Sequence, residues 1–215
     1  MLFKSTLPVL FVSRDKLVFS LVTFDKKPKV AQVLESANNS EQLVTFFNQA
    51  KKIAQTNKWF VLVADDVSYL LELSFPKGSQ YTRSEVKQAA HLEIPEKLAE
   101  DGWDFVEGHP TATGDIHVLV FAPVQHIWLP VQQLLRKMEV EVVAMESESL
   151  AKTRHSNPSV GIVLKSDIAG KDAKTLNIHT TSKHSFFTIF LIGFAVVILL
   201  ITVAVVWLVY LGRSS

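Results

Sequence analysis

Between Gln88 and Phe105 the sequence reads QAAHLEIPEKLAEDGWDF, with one histidine, three glutamates and two aspartates around a proline. Carboxylates this dense beside an imidazole are the raw material of acid–base chemistry or a metal site. The spacing argues against both. His91 and Glu93 are two residues apart, so on a helix they point away from each other and cannot share a ligand. Among the seven histidines no H-E-x-x-H or H-x-x-x-H spacing occurs. Glu93, Glu96, Glu100 and Asp101 therefore read as a solvated acidic face, with Ala89, Ala90 and Ile94 on the packed side. The functional alternative is a docking surface for a basic partner.

Asp65 and Asp66 follow the apolar run WFVLVA. Carboxylates at the C-terminal end of a buried strand are where α/β enzymes often place catalytic groups. With no Gly-rich loop or histidine nearby, these two read as turn formers. No G-x-S-x-G or Walker sequence occurs. Trp59, Trp103 and Trp128 are too scattered for a stacking platform and read as packing residues. A formal charge of +1 gives no support for nucleic acid, and no small-molecule substrate is indicated. The absence of cysteine excludes disulfides, thiolate metal sites and thiol catalysis. No catalytic, cofactor-binding or metal-binding residue is assigned.

The elements that position these residues begin with three β-rich runs over residues 7–34, joined by the turns Arg14-Asp15-Lys16 and DKKP. Leu43, Phe46, Phe47, Ala50, Ile53 and Ala54 then recur at helical spacing, with Asn39 and Gln42 placed to cap. WFVLVA follows as a buried strand. From residue 68 a second unit reads strand, helix, strand, strand. Its strand SYLLELSF ends at Pro76, and Thr82 with Glu85 forms a capping box. Pro95 stops the helix at Ile94. WDFVEG and DIHVLVFA are the remaining strands. A helix over about residues 126–138 carries Pro130, expected in its first turn. EVEVVAM is the next strand and ESESLAKTR a short helix. VGIVLKS and KTLNI read as a closing hairpin around DIAGKDA.

The run from Phe186 to Leu211, FFTIFLIGFAVVILLITVAVVWLVYL, has no charge. A helix of about 26 residues reaches roughly 39 Å, enough to cross a hydrocarbon core of about 30 Å. Trp207 and Tyr210 sit near one end, as interfacial anchors do. Gly193 has no small residue four positions away to make a dimerisation motif. Lys165, Lys171, Lys174 and Lys183 precede the span and only Arg213 follows it. The positive-inside rule then puts the N-terminal part in the cytoplasm, giving a single-pass protein of the cytoplasmic (inner) membrane.

The order of elements, together with two stretches, resembles a known family. LELSFPKGSQYTRSEVKQAAHLEIPEKLAEDGWDFVE resembles the segment in which a strand ends at a proline, a helix ends in Ile-Pro, and an aromatic strand follows. VLVFAPVQHIWLPVQQLLRKMEVEVVAMESESLAKTR is similar to the strand, small-residue turn, helix, strand and short helix that come next. The family so resembled is that of the PilM-type actin-fold pilus assembly proteins and the related cytoplasmic domain of the GspL proteins of type II secretion. The resemblance covers residues 7–180 and is clearest from Leu71 to Arg154.

What this implies is an α/β fold: a truncated actin-like (ribonuclease H-like) lobe with a strand-helix-strand-strand subdomain, plus one C-terminal transmembrane helix. The expected boundaries are 1–178 for the cytoplasmic domain, with its insertion at 68–122. A linker at 179–185, the span at 186–211 and an outer stub at 212–215 complete it. Family members that bind ATP use a glycine-containing D-x-G-S hairpin. Here the first hairpin, FVSRDKLVF, has no glycine, and Asp15 repels phosphate. The second would fall at SDIAGK. The chain enters the membrane instead of building a second lobe, so loss of nucleotide binding is expected and no cofactor is called for. The expected role is a non-catalytic, membrane-anchored scaffold for assembling a type IV pilus or type II secretion-like platform. The resemblance implies partners among inner-membrane pilus or secretion assembly proteins, and a secretion-type motor ATPase. The alternatives are a membrane-bound nucleotide-binding or phosphohydrolase protein, and a generic tail-anchored adaptor.

Overall fold

The structure is a computed structural model that describes residues 6–24, 27–79, 81–99, 102–107 and 114–169. Strands β1 (Thr6–Val12), β2 (Lys16–Phe24) and β3 (Pro28–Ala37) form an antiparallel meander. Helix α1 (Ser40–Ala54) follows, and its N-cap Asn39 accepts a bond from the Gln42 amide, as the spacing predicts. Its face of Leu43, Phe46, Phe47, Ala50 and Ala54 is buried. Strand β4 (Lys58–Val63) then runs parallel to β1. After a one-turn 3-10 helix at Asp65–Val67 the chain leaves this sheet as β5 (Ser68–Phe75).

The second unit has the expected order. Helix α2 (Arg83–Glu93) starts at a complete Thr82–Glu85 capping box and stops at Ile94, as Pro95 requires. Strands β6 (Asp104–Glu107) and β7 (Ile116–Pro123) complete a three-stranded antiparallel sheet in the order β5-β7-β6. Val86, Ala90, Ile94, Leu98 and Trp103 pack against Val118, Val120 and Ala122 of β7.

Helix α3 (Gln125–Lys137) returns the chain to the larger sheet, where β8 (Glu141–Ser147) pairs parallel to β4. The five-stranded order is β3-β2-β1-β4-β8. One face carries α1 and α3 over a core containing Phe19, Phe47, Trp59 and Trp128. The other carries α4 (Glu148–Arg154) and α5 (Pro158–Ala169).

Two expectations are corrected here. Pro130 is the sixth residue of α3 and not in its first turn. It lies on the exposed side, where water can take the carbonyl its missing N–H leaves free. The stretch VGIVLKS is helical, not the first strand of a hairpin. Asn157 caps it, its Oδ1 accepting from the amides of Ser159 (3.0 Å) and Val160 (3.4 Å), and Pro158 takes the first helical position. Local capping thus overrides the strand preference of Val160, Ile162 and Val163. Among the described residues no helix is long and apolar enough to cross a membrane. Phe186, Gly193, Trp207, Tyr210 and Leu211, with the KTLNI strand and the linker, lie outside the described residues.

Candidate functional site

In open α/β sheets a ligand crevice lies beyond the C-terminal ends of the parallel strands. Here that end is formed by Val12, Val63 and Ser147 with the turns that follow them. The β1–β2 turn is closed by its own groups. The Ser13 amide donates to the Lys16 carbonyl at 3.0 Å, and the Lys16 amide to Ser13 Oγ at 3.1 Å. Asn38 fastens it from outside, its Nδ2 donating to the Ser13 carbonyl at 2.7 Å. Arg14 reaches the backbone oxygen of Asp66 at 3.3 Å and its carboxylate at 3.8 Å.

The two strand-end aspartates are likewise engaged. Asp65 Oδ1 accepts from the Ser149 amide at 3.0 Å, so it helps cap α4. Ser147 Oγ accepts from the Leu150 amide at 3.3 Å and does the rest. These carboxylates form turns and caps, as their sequence context suggested. The position expected for a second phosphate hairpin is different again, because Ser166–Ala169 of SDIAGK belong to α5. Gly170 and Lys171 lie outside the described residues.

Beneath α4 and α5 sits a charged cluster that periodicity did not single out. Glu146, near the end of β8, is 1% exposed and Lys165 of α5 is 3% exposed. Glu146 Oε2 lies 3.4 Å from Lys165 Nζ, and its Oε1 contacts Arg154 Nη2. Arg154 also donates from Nε to the Gly161 carbonyl at 2.9 Å. That carbonyl is within reach because α4 and α5 cross closely at Gly161. A Cβ there would stand 2.0 Å from the Ala151 oxygen. Burial, then the neighbouring guanidinium of Arg154, pushes Lys165 down to about 8 against the opposing pull of Asp104. Burial also lowers Arg154. The signal was present in the sequence: a glutamate at the buried end of an apolar strand and the single lysine of an apolar helix need each other. Lys165, counted above among the cations flanking the span, is thus a buried member of this cluster; Lys171, Lys174 and Lys183 lie outside the described residues.

The two described residues of the acidic face differ. His91 and Glu93 are exposed, but Glu96 is turned inward. Its Oε2 accepts from the Gln125 amide at 2.7 Å and its Oε1 lies 3.0 Å from His126 Nδ1. Glu96 therefore caps α3, whose own N-cap, Val124, has no side-chain acceptor. Burial and then the Glu96 charge raise the Tyr69 phenol. Glu100 and Asp101 lie outside the described residues. Trp59, Trp103 and Trp128 are all core residues. Among the described residues no group of three histidines or carboxylates is placed to hold a metal ion.

No family model matches this sequence, and no curated protein does. Solved structures with a similar fold include the PilM–PilN type IV pilus biogenesis complex. There the identity is 17% and the TM-score 0.45, over 69% of this chain and 49% of that one. The cytoplasmic domain of EpsL, an inner membrane component of the type II secretion system of Vibrio cholerae, is similar at 14% identity. Its TM-score is 0.46, over 68% of this chain and 59% of that one. A Bacteroides thetaiotaomicron protein with an actin-like ATPase fold is 8% identical, with a TM-score of 0.38, over 69% and 54%. This chain spans between 49% and 59% of the length of the chains it matches.

Proposed function

We propose that this protein is a non-catalytic scaffold, anchored in the inner membrane with its α/β domain in the cytoplasm, that helps assemble a type IV pilus or type II secretion-like platform. The observation that carries it is the uncharged run Phe186–Leu211 placed after a folded α/β layer. The strand-end crevice supports it, since Asp65, Ser147, Ser13 and Asn38 are spent there on bonds to the protein's own backbone. Tethering confines the domain to two dimensions and raises its effective concentration near membrane-bound partners. Those partners are inner-membrane assembly proteins of such a system and its motor ATPase.

Two measurements test this. The full chain should sediment with membranes and leave them on addition of detergent, not of salt or alkali. Purified in detergent, it should bring down components of the pilus or secretion apparatus. Saturable micromolar binding of labelled ATP with Mg²⁺ would overturn the scaffold in favour of a nucleotide-binding protein. Clean membrane association without any such component would point to a different adaptor role.

A further inference from the structure

The two sheets leave strand edges open in different ways. β3, one of the two outer strands of the larger sheet, carries Pro28, Lys29 and Glu35. Its pairing with β2 is also broken by a bulge between the pairs Phe19–Leu34 and Ser20–Gln32. These are the devices by which proteins discourage further strand pairing. β5, one of the two outer strands of the smaller sheet, has neither the proline nor the bulge. Its register with β7 is continuous from Ser68–Pro123 to Phe75–Ile116, it contains no proline, and Glu72 is its single charge. Among the described residues nothing pairs with its outer edge.

Side-chain burial marks the same edge. On the side covered by α2, Val118, Val120 and Ala122 of β7 are buried, while Tyr69, Leu71, Leu73 and Phe75 of β5 are only partly so. On the opposite side Leu70 is 37% exposed. A half-covered apolar row along an unguarded edge is what a strand looks like when its neighbour is missing.

We propose that the neighbour is β5 of a second copy of this chain, paired antiparallel with Leu71 against Leu71. Residues opposite each other must face the same side of the joined sheet, so a two-fold pair is centred on a residue and not between two. Centring on Leu71 aligns seven residues, Ser68 to Ser74, of each copy. It places Tyr69 against Leu73 twice on the α2 side, and Leu70 against Glu72 twice on the other. Centring on Glu72 would set two carboxylates face to face, which is destabilising. Centring on Leu70 would shorten the pairing to the five residues Ser68–Tyr69–Leu70–Leu71–Glu72. The longest register without a charge clash is thus a symmetric one, which is the complementarity a second copy needs.

The sequence contains no cysteine, so Leu71→Cys introduces a single thiol into the full chain. Opposed residues in an antiparallel pair have Cα atoms about 4.5 or 5.5 Å apart, within disulfide reach. In detergent, mild oxidation should convert Leu71→Cys to a covalent dimer and leave Ala31→Cys, on the guarded β3 edge, monomeric. A second variant avoids disturbing the α2 contact. Leu70→Glu, at an exposed position, sets like charges opposite Glu72 twice and should weaken the dimer about tenfold in sedimentation equilibrium. Adding Glu72→Lys should restore it. Equal cross-linking at both positions, or a dimer indifferent to Leu70→Glu, would overturn the pairing.

Discussion

On one face of the five-stranded sheet, α1 and α3 close over Phe19, Phe47, Trp59 and Trp128. On the other, α4 and α5 close over Val9, Val22, Phe60, Leu62 and Ala144, and over a carboxylate, a guanidinium and an ammonium as well. The first face is stabilised by area: Trp59 is fully buried, with Phe19 5.0 Å and Phe47 6.2 Å away between ring centroids. The second adds to its apolar contacts a cluster that stabilises only while its charges stay matched, because an ion pair out of water gains little over its desolvation cost. One sheet therefore has a robust side and a conditional side. The conditional side carries α5, the last element the structure describes.

The largest effect should come from the robust face. Trp59→Ala removes the ring between Phe19 and Phe47 and should lower unfolding free energy by about 4 kcal/mol. Denaturant melts of the full chain in detergent would measure this. A loss below about 1 kcal/mol would mean that the aromatic face is not the main source of stability.

Next is the conditional face. Glu146→Gln removes the carboxylate that contacts the half-buried Arg154 and the buried Lys165 and should cost about 3 kcal/mol. Replacing Lys165 with Met in the same chain should recover part of that loss, because the more deeply buried of the two cations is then gone. If Glu146→Gln and the double variant melted alike, the cluster would not act as a unit.

The same lysine gives the comparison a pH axis. Its folded pKa of about 8 lies below the 10.5 of the unfolded chain. Between those values the unfolded state holds a proton that the folded state has released, so stability should rise with pH across that window, by at most roughly 3 kcal/mol. Tyr81, raised to about 12 by burial and by Glu107, acts oppositely. Above pH 10 the unfolded phenol ionises first, and stability from that group falls. The melting temperature should accordingly climb from pH 8 and turn over near 10. Lys165→Met should remove the climb and keep the fall.

Much of this architecture was legible in the sequence for local reasons. The Thr82–Glu85 box, the Asn39 cap and the stop before Pro95 are each set by a few neighbouring residues, and all three hold. α5 was misread because Val160, Ile162 and Val163 favour strands, although Asn157-Pro158 just before them carried the helix-start signal. Glu96 was misread because the partner it caps, the Gln125 amide, comes from an element 29 residues further along the chain. The Glu146 cluster joins β8, α4 and α5, and only the close crossing at Gly161 brings those helices together. Contacts of that kind are set by packing, which one-dimensional periodicity does not encode.

The smallest expected effect tests whether the two faces open together. Each has a helix started by an asparagine: Asn39 for α1, with Gln42 as donor at 3.1 Å, and Asn157 for α5, with Ser159 at 3.0 Å. Changing either to Ala removes an equivalent cap worth about 1 kcal/mol. In α1 the loss should be global, because Leu43, Phe46, Phe47 and Ala50 bind the helix to the aromatic core, so it cannot open without the sheet. In α5 the anchors among the described side chains are Val160, Ile162, Val163 and the partly buried Leu164, and one of its buried groups is a charge that water can recover. Native-state hydrogen exchange should therefore show Asn39→Ala lowering protection in β4 and α1 alike. Asn157→Ala should lower it by about fivefold in α5 while leaving β4 unchanged. Uniform loss in both variants would mean the conditional face is as firmly joined to the sheet as the robust one.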